Sequence, residues 1–328
     1  MPAGARPLAV FWGVTLLGTA LLAATLQAMG PLPRAVPAAI VTAPDTRRPI
    51  TPASITRQWN GTTAPPDSAL LEPSVAVPGL QVPRISTDGR TAMKVYARPA
   101  AAPDGRPRIA ILLSGMALSE ADSLAAIRLL PSTVTLAISP YATNAAPVLD
   151  AARAHGHELL ASIPMEVDGT DSAGQHALLT GASLLENQAN LEWALGRTQG
   201  YAGATGAGDN GLRGERFAGQ ISSFTTMLEQ IARRGLFYVD PRPGASLPAV
   251  EIPVAQVASI IDEQQARAEI EAKLAAIERL ARERGFVLAL AGPPRRAVVE
   301  RMAAWAETLE SRGFVLVPVS AIVATHGQ

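Results

Sequence analysis

The sequence predicts an α/β domain, a (β/α) barrel of seven or eight parallel strands spanning residues 107–325, and three observations carry that prediction. Short, nearly unbroken apolar runs recur along the second two thirds of the chain, as in strands covered on both faces. Segments with apolar residues three and four apart lie between them, the period of helices that cover such a sheet. Glycines follow the expected helix ends and lead directly into the next run, at Gly156, Gly235, Gly285 and Gly313. Alternation of this kind implies parallel strands with right-handed crossovers, either doubly wound or closed into a barrel.

The elements follow in order. Clear strand runs are Ile109–Leu113, Val134–Ile138, Leu159–Ile163, Leu236–Val239, Phe286–Leu290 and Phe314–Val319. Two weaker runs, Tyr201–Thr205 and Pro253–Val257, bring the strand number into the range of a barrel. Helices are expected over Ser119–Leu130, Asn144–Ala154, Ser183–Thr198, Ser222–Arg234, Glu263–Arg284 and Arg295–Arg312. Ser119 with Asp122 has the form of a capping box, and Leu191 with Leu195 shows the four-residue apolar step.

Before this domain the composition changes twice. Leu8–Met29 carries no charge and lies between Arg6 and Arg34, and about 20 apolar residues span a bilayer. Residues 1–30 are therefore read as a membrane anchor, a cleavable signal peptide being the alternative. The basic flank places the N-terminus in the cytoplasm and the large domain on the far, periplasmic or extracytoplasmic side of the inner membrane. Residues 31–106 are rich in Pro, Ala, Thr and Ser without either period, and are expected to form a flexible, extended tether. Met93–Tyr96 is the one stretch there expected to pair with the domain edge.

Composition also excludes functions. With 28 basic and 28 acidic residues and no basic run, the chain offers no footprint for nucleic acid. The lack of cysteine rules out disulfides, thiolate nucleophiles and cysteine-held zinc. Gly203–Gly214 is glycine-dense but lacks the Lys-Ser/Thr of a phosphate loop, and no Gly-x-Ser-x-Gly elbow is present.

In barrels of this type chemistry sits at the C-terminal strand ends, here Ser114, Tyr141, Glu166, Asp209, Asp240, Arg242, Arg295 and Ser320. The strings IAILLSG at 109–115, VTLAISPYATN at 134–144, GHELLASIPME at 156–166, LLTGASLLENQANLEWAL at 178–195, RRGLFYVDPR at 233–242 and LVPVSAI at 316–322 resemble the divergent polysaccharide deacetylase family. The resemblance implies an irregular (β/α) barrel and a place in carbohydrate or cell-wall metabolism.

It also implies a divalent metal such as zinc, whose expected ligands are replaced in this chain. Metal-dependent members carry an Asp pair at the end of the first strand, one base and one ligand, where this chain has Ser114 and Gly115. Ser162 stands where a His precedes Pro-Met-Glu, and no His follows Gly200–Gly203 before His326. Ala291-Gly292-Pro293-Pro294 stands in place of Gly-His-Pro. Polarising an acetyl carbonyl requires a metal held by imidazole and carboxylate, and the chain cannot assemble that ligand set from the matching positions, so no metal or other cofactor is expected.

The polar residues that match the family are Glu166, Asp240 and Arg242. As a functional cluster, Glu166 and Asp240 are the candidate catalytic carboxylates, and Arg242, Tyr141 and Arg295 the candidate substrate contacts. As a structural cluster, Asp240 or Glu166 pairs with Arg242 to order the rim, and Arg295 and Arg296 are a solvated first helical turn rather than an anion site. The function expected is a degenerate, deacetylase-like envelope protein that binds cell-wall polysaccharide or an envelope protein. An active deacetylase or hydrolase with a relocated site is the alternative.

Overall fold

A computed structural model describes residues 61–169, 174–263 and 266–323, all within the compact unit Gln58–Gln328. The expected membrane segment Leu8–Met29 lies outside the described residues. Among the described residues no helix is long and apolar enough to cross a membrane.

The domain is a parallel α/β half-barrel. Its central strand, β3 (Arg108–Met116), is buried from Ile109 onward, because Ile109–Leu113 presents apolar side chains to both faces. β4 (Thr135–Ile138), β5 (Leu159–Ser162), β6 (Gly203–Thr205) and β7 (Phe237–Asp240) follow on one side in sequence order. β10 (Phe286–Ala291) pairs with the other side of β3. β8 (Val254–Gln256) pairs with β7, and β9 (Ser259–Ile260) pairs with β10. The two ends of the strand order are thus successive pieces of one segment, which donates Val257 N–H to the Asp240 carbonyl and Ala258 N–H to the Leu288 carbonyl.

Helices α2 (Glu120–Leu129), α3 (Ala146–Ala154), α4 (Leu184–Gly196), α6 (Ile221–Arg233), α7 (Arg267–Arg284) and α8 (Arg296–Glu307) lie where their periodicity places them. Ser119 Oγ accepts the Asp122 N–H at the start of α2. A complete capping box forms at α4, where Ser183 and Glu186 satisfy each other's backbone N–H. Gly156, Gly235, Gly285 and Gly313 all have φ between 71° and 85°, the left-handed stop the sequence predicts. A short α5 (Glu215–Gly219) was not legible in the periodicity.

The last strand corrects the expected position of Ser320. β11 (Val315–Val317) pairs only with Arg108–Ala110 of β3, on the side that β4 occupies from Leu112 onward. It is a wedge at the strand starts, so the following helix α9 (Ser320–Val323) begins at the end of the barrel opposite the site. There Ser320 N–H donates to Glu158, a wholly buried carboxylate that also accepts from Thr135 Oγ1.

Residues 61–98 correct the expected tether. β1 (Leu71–Pro73) and β2 (Gln81–Pro83) form an antiparallel pair, and Met93–Tyr96 is helical within α1 (Ala92–Tyr96) rather than paired as an edge strand. Leu70, Val82, Ala92 and Tyr96 are buried in the main core. Polar anchors reinforce this: Arg98 N–H donates to Glu158 at 3.1 Å, and Ser74 Oγ and Arg234 converge on the buried Glu192. Proline keeps the backbone extended without preventing a few well-spaced apolar residues from docking.

Candidate functional site

The C-terminal strand ends carry two adjacent cavities that share Leu212 as a wall. The first, of about 240 Å³, is lined by Tyr141 after β4, Ser162 and Met165 at the end of β5, and Asp209 after β6. The second, of about 270 Å³, is lined by Ser114, Arg213, Asp262, Glu263 and Arg295. A larger groove of about 430 Å³ involves Val254, Phe286 and Ile322, residues at the strand starts and the final helix, away from this face.

Five sequence-predicted residues divide between these cavities and the rim, and of these only Asp240 and Arg242 meet. Asp240 is fully buried and gripped by Arg242 through Nε–Oδ1 at 2.9 Å and Nη2–Oδ2 at 2.6 Å. This is the rim ion pair of the structural reading, and the Arg242 guanidinium also lies 5.0 Å from the Phe224 ring. Glu166 accepts both the N–H and the hydroxyl of Thr180 at 2.6 Å and pairs with Arg216 at 3.0 Å. The Thr180 hydrogen bonds, ahead of the Arg216 charge, hold its carboxyl below the usual range. Glu166 is thereby a brace for the loop after β5 and forms no pair with Arg242.

Tyr141 lines the first cavity and its ring lies 5.4 Å from Trp193, on which His176 stacks at 4.1 Å. Gly174 leaves room for the Tyr141 hydroxyl that any Cβ would occupy. Arg295 lines the second cavity and faces Asp262 at 3.9 Å, while Arg296 pairs with Glu300 on the surface as a solvated first turn.

Two carboxylates stand out that the candidate set omitted. Asp209 was legible only as a strand-end position, and Asp262 gave no signal because β9 is two residues long. Burial pushes both carboxyls above the usual range; hydrogen bonds from Ser139 to Asp209 and from Gly292 N–H to Asp262 oppose the shift without cancelling it. Asp209 Oδ2 accepts from Ser139 Oγ at 2.8 Å, but Oδ1 is buried without a partner among the described residues. Ser162 Oγ in the same cavity is likewise buried and unpartnered.

The sign of the Asp209 effect follows from linkage. A carboxyl whose folded pKa lies above its unfolded value favours folding while protonated, and that contribution is lost as pH rises through the folded value. Asp209→Asn is therefore expected to melt above the wild type at neutral pH, with the gap closing as pH falls into the ordinary carboxyl range. Thermal melts across that range check this.

The residues do not fit the divalent metal that the resemblance implies. At the end of β3 the register slips between Leu113 and Met116, and this bulge holds Ser114, whose Oγ donates to the Ala291 carbonyl, and Gly115, pressed against Pro293 with φ 72°. His155 and His157 flank the turn entering β5 at the opposite end, His157 with Nδ1 at 2.8 Å from the Val134 carbonyl. Among the described residues no three His, Cys, Asp or Glu side chains are grouped to hold a metal ion.

No curated protein matches the chain significantly. The crystal structure of an uncharacterized protein from Agrobacterium tumefaciens C58 is similar at 28% identity and TM-score 0.69, covering 74% of this chain and 99% of that one. The Xyl-CE4 domain of a multidomain xylanase from the hindgut metagenome of Trinervitermes trinervoides aligns at 14% identity and TM-score 0.41, over 68% of this chain and 92% of that one. The family model described as divergent polysaccharide deacetylase matches residues 111–323, and the chain belongs to that family.

Proposed function

We propose that the protein is a membrane-anchored envelope protein that binds a cell-wall glycan at the C-terminal strand ends without deacetylating it. The observation that carries this reading is the β3 bulge, where Ser114 and Gly115 replace a base and a metal ligand while the cavities beside them remain. A pocket of apolar walls with a few convergent polar groups, joined to the Tyr141–Trp193–His176 ring cluster, suits the faces and hydroxyls of a sugar. The anchor reading rests on Leu8–Met29 and gives the domain access to the wall from the outer side of the membrane.

The competing reading, a relocated hydrolase built on Glu166, Asp240 and Arg242, requires groups free to exchange protons with substrate. Asp240 and Glu166 instead spend their acceptors on Arg242, Thr180 and Arg216. The full-length protein incubated with N-acetylglucosamine oligomers and excess zinc or manganese is expected to release no acetate above the protein-free control. Acetate release proportional to protein concentration overturns the proposal.

A further inference from the structure

We propose that the Asp209 cavity selects a sugar bearing a free, protonated amine, so that the glycan it reads contains amino sugars without their acetyl group. This rests on the glycan-binding reading above and names the chemistry of its ligand. Four observations lead to it.

First, Asp209 is the only charged side chain among the described residues that line this cavity. Arg213 and Arg295 line the second cavity, on the far side of Leu212. Second, Asp209 makes no ion pair with any described Lys, Arg or His, and burial drives its carboxyl upward with only the Ser139 hydroxyl opposing. A half-buried carboxylate without a cation costs stability, and a cationic ligand group removes that cost on binding. Third, the unmet hydrogen-bonding capacity matches an ammonium. Asp209 Oδ1 and Ser162 Oγ, the latter on a residue 1% exposed, are both buried without a partner among the described residues, and an ammonium brings three donors on one atom. An acetamido group has one N–H and a carbonyl oxygen that an ionised carboxylate repels. Fourth, the remaining walls are Pro140, Met165, Leu212 and glycine backbone, with the Tyr141 ring beside them. These suit the C–H face of one sugar residue, and the ring adds attraction for a cation.

The test is titration calorimetry on the full-length protein in detergent from mildly acidic to neutral pH, which spans conditions where the sugar amine carries its proton and where the Asp209 carboxyl, raised by burial, is more fully ionised. Two probes of equal length are compared, the β-1,4-linked tetramers of glucosamine and of N-acetylglucosamine, with Nα-acetyl-lysine amide as a non-sugar amine. The expected result is that the glucosamine tetramer binds about tenfold or more tighter than its acetylated counterpart, the size of one charge-assisted contact. Asp209→Asn is expected to erase that preference. Glu283→Gln, which removes an equal charge from an exposed position on α7 that lines neither cavity, is expected to keep it. Ser162→Ala gives an independent reading should the Asp209 variant fold poorly, and is expected to weaken the preference.

Equal or tighter binding of the acetylated tetramer overturns the amine assignment and leaves glycan binding intact. Binding of the lysine amide as tightly as the amino sugar overturns the sugar part. Failure of both tetramers to bind overturns this proposal together with the function on which it rests.

Discussion

Deleting residues 1–106 is expected to leave a chain that does not fold cooperatively, although composition alone suggests cutting there. The segment buries Leu70, Val82 and Tyr96 in the main core, and large apolar side chains contribute roughly 1.5–3 kcal/mol each. Three of them bring on the order of 5–9 kcal/mol, an upper bound given residual burial in the unfolded chain, against a typical domain stability of about 5–15 kcal/mol. The deletion also strips Glu158 of the Arg98 N–H and Glu192 of the Ser74 hydroxyl, exposing carboxylates that the barrel otherwise encloses. Circular dichroism melts of the truncated and full-length chains measure this. A cooperative transition within a few degrees of the full-length protein contradicts the packing described for β1, β2 and α1.

Arg242→Ala is expected to be the most damaging single substitution on the site face. It leaves Asp240 buried with neither fork of its guanidinium partner, and breaking a buried pair from one side costs about 3–5 kcal/mol. In a domain of this size that lowers the melting temperature by on the order of 10 °C. Replacing both members with apolar residues, Asp240→Leu with Arg242→Met, is expected to recover much of the loss, because neither charge then remains buried alone. If the single substitution costs less than about 1 kcal/mol, the range of an exposed pair, the structural role assigned to Arg242 is wrong.

What the sequence disclosed follows from period. Buried strands such as Ile109–Leu113 and helix stops such as Gly285 announce themselves through local chemistry, and each stands where the pattern put it. Residues 71–83 escaped because strands of three residues are shorter than any period, and their prolines resemble those of a tether. Ser320 was misplaced because a strand run does not reveal which half of its neighbour it pairs with.

At the site, spacing in the chain carried the Asp240–Arg242 pair, two residues apart on one rim. The binding of Glu166 by Thr180 and Arg216 depends on the path of a loop, which spacing does not encode. The isolation of Asp209 is a property of what surrounds it, and only the packed structure reveals an unpaired oxygen.

The most direct test of the account is where a glycan touches the protein. Full-length protein labelled with nitrogen-15 is titrated with glucosamine and N-acetylglucosamine oligomers, and amide shifts are followed by nuclear magnetic resonance. Shifts are expected to concentrate at Ser139–Tyr141, Ser162–Met165 and Gly206–Leu212, around the strand ends of β4, β5 and β6. Shifts confined to the groove of Val254, Phe286 and Ile322, or none at saturating glycan, contradict it.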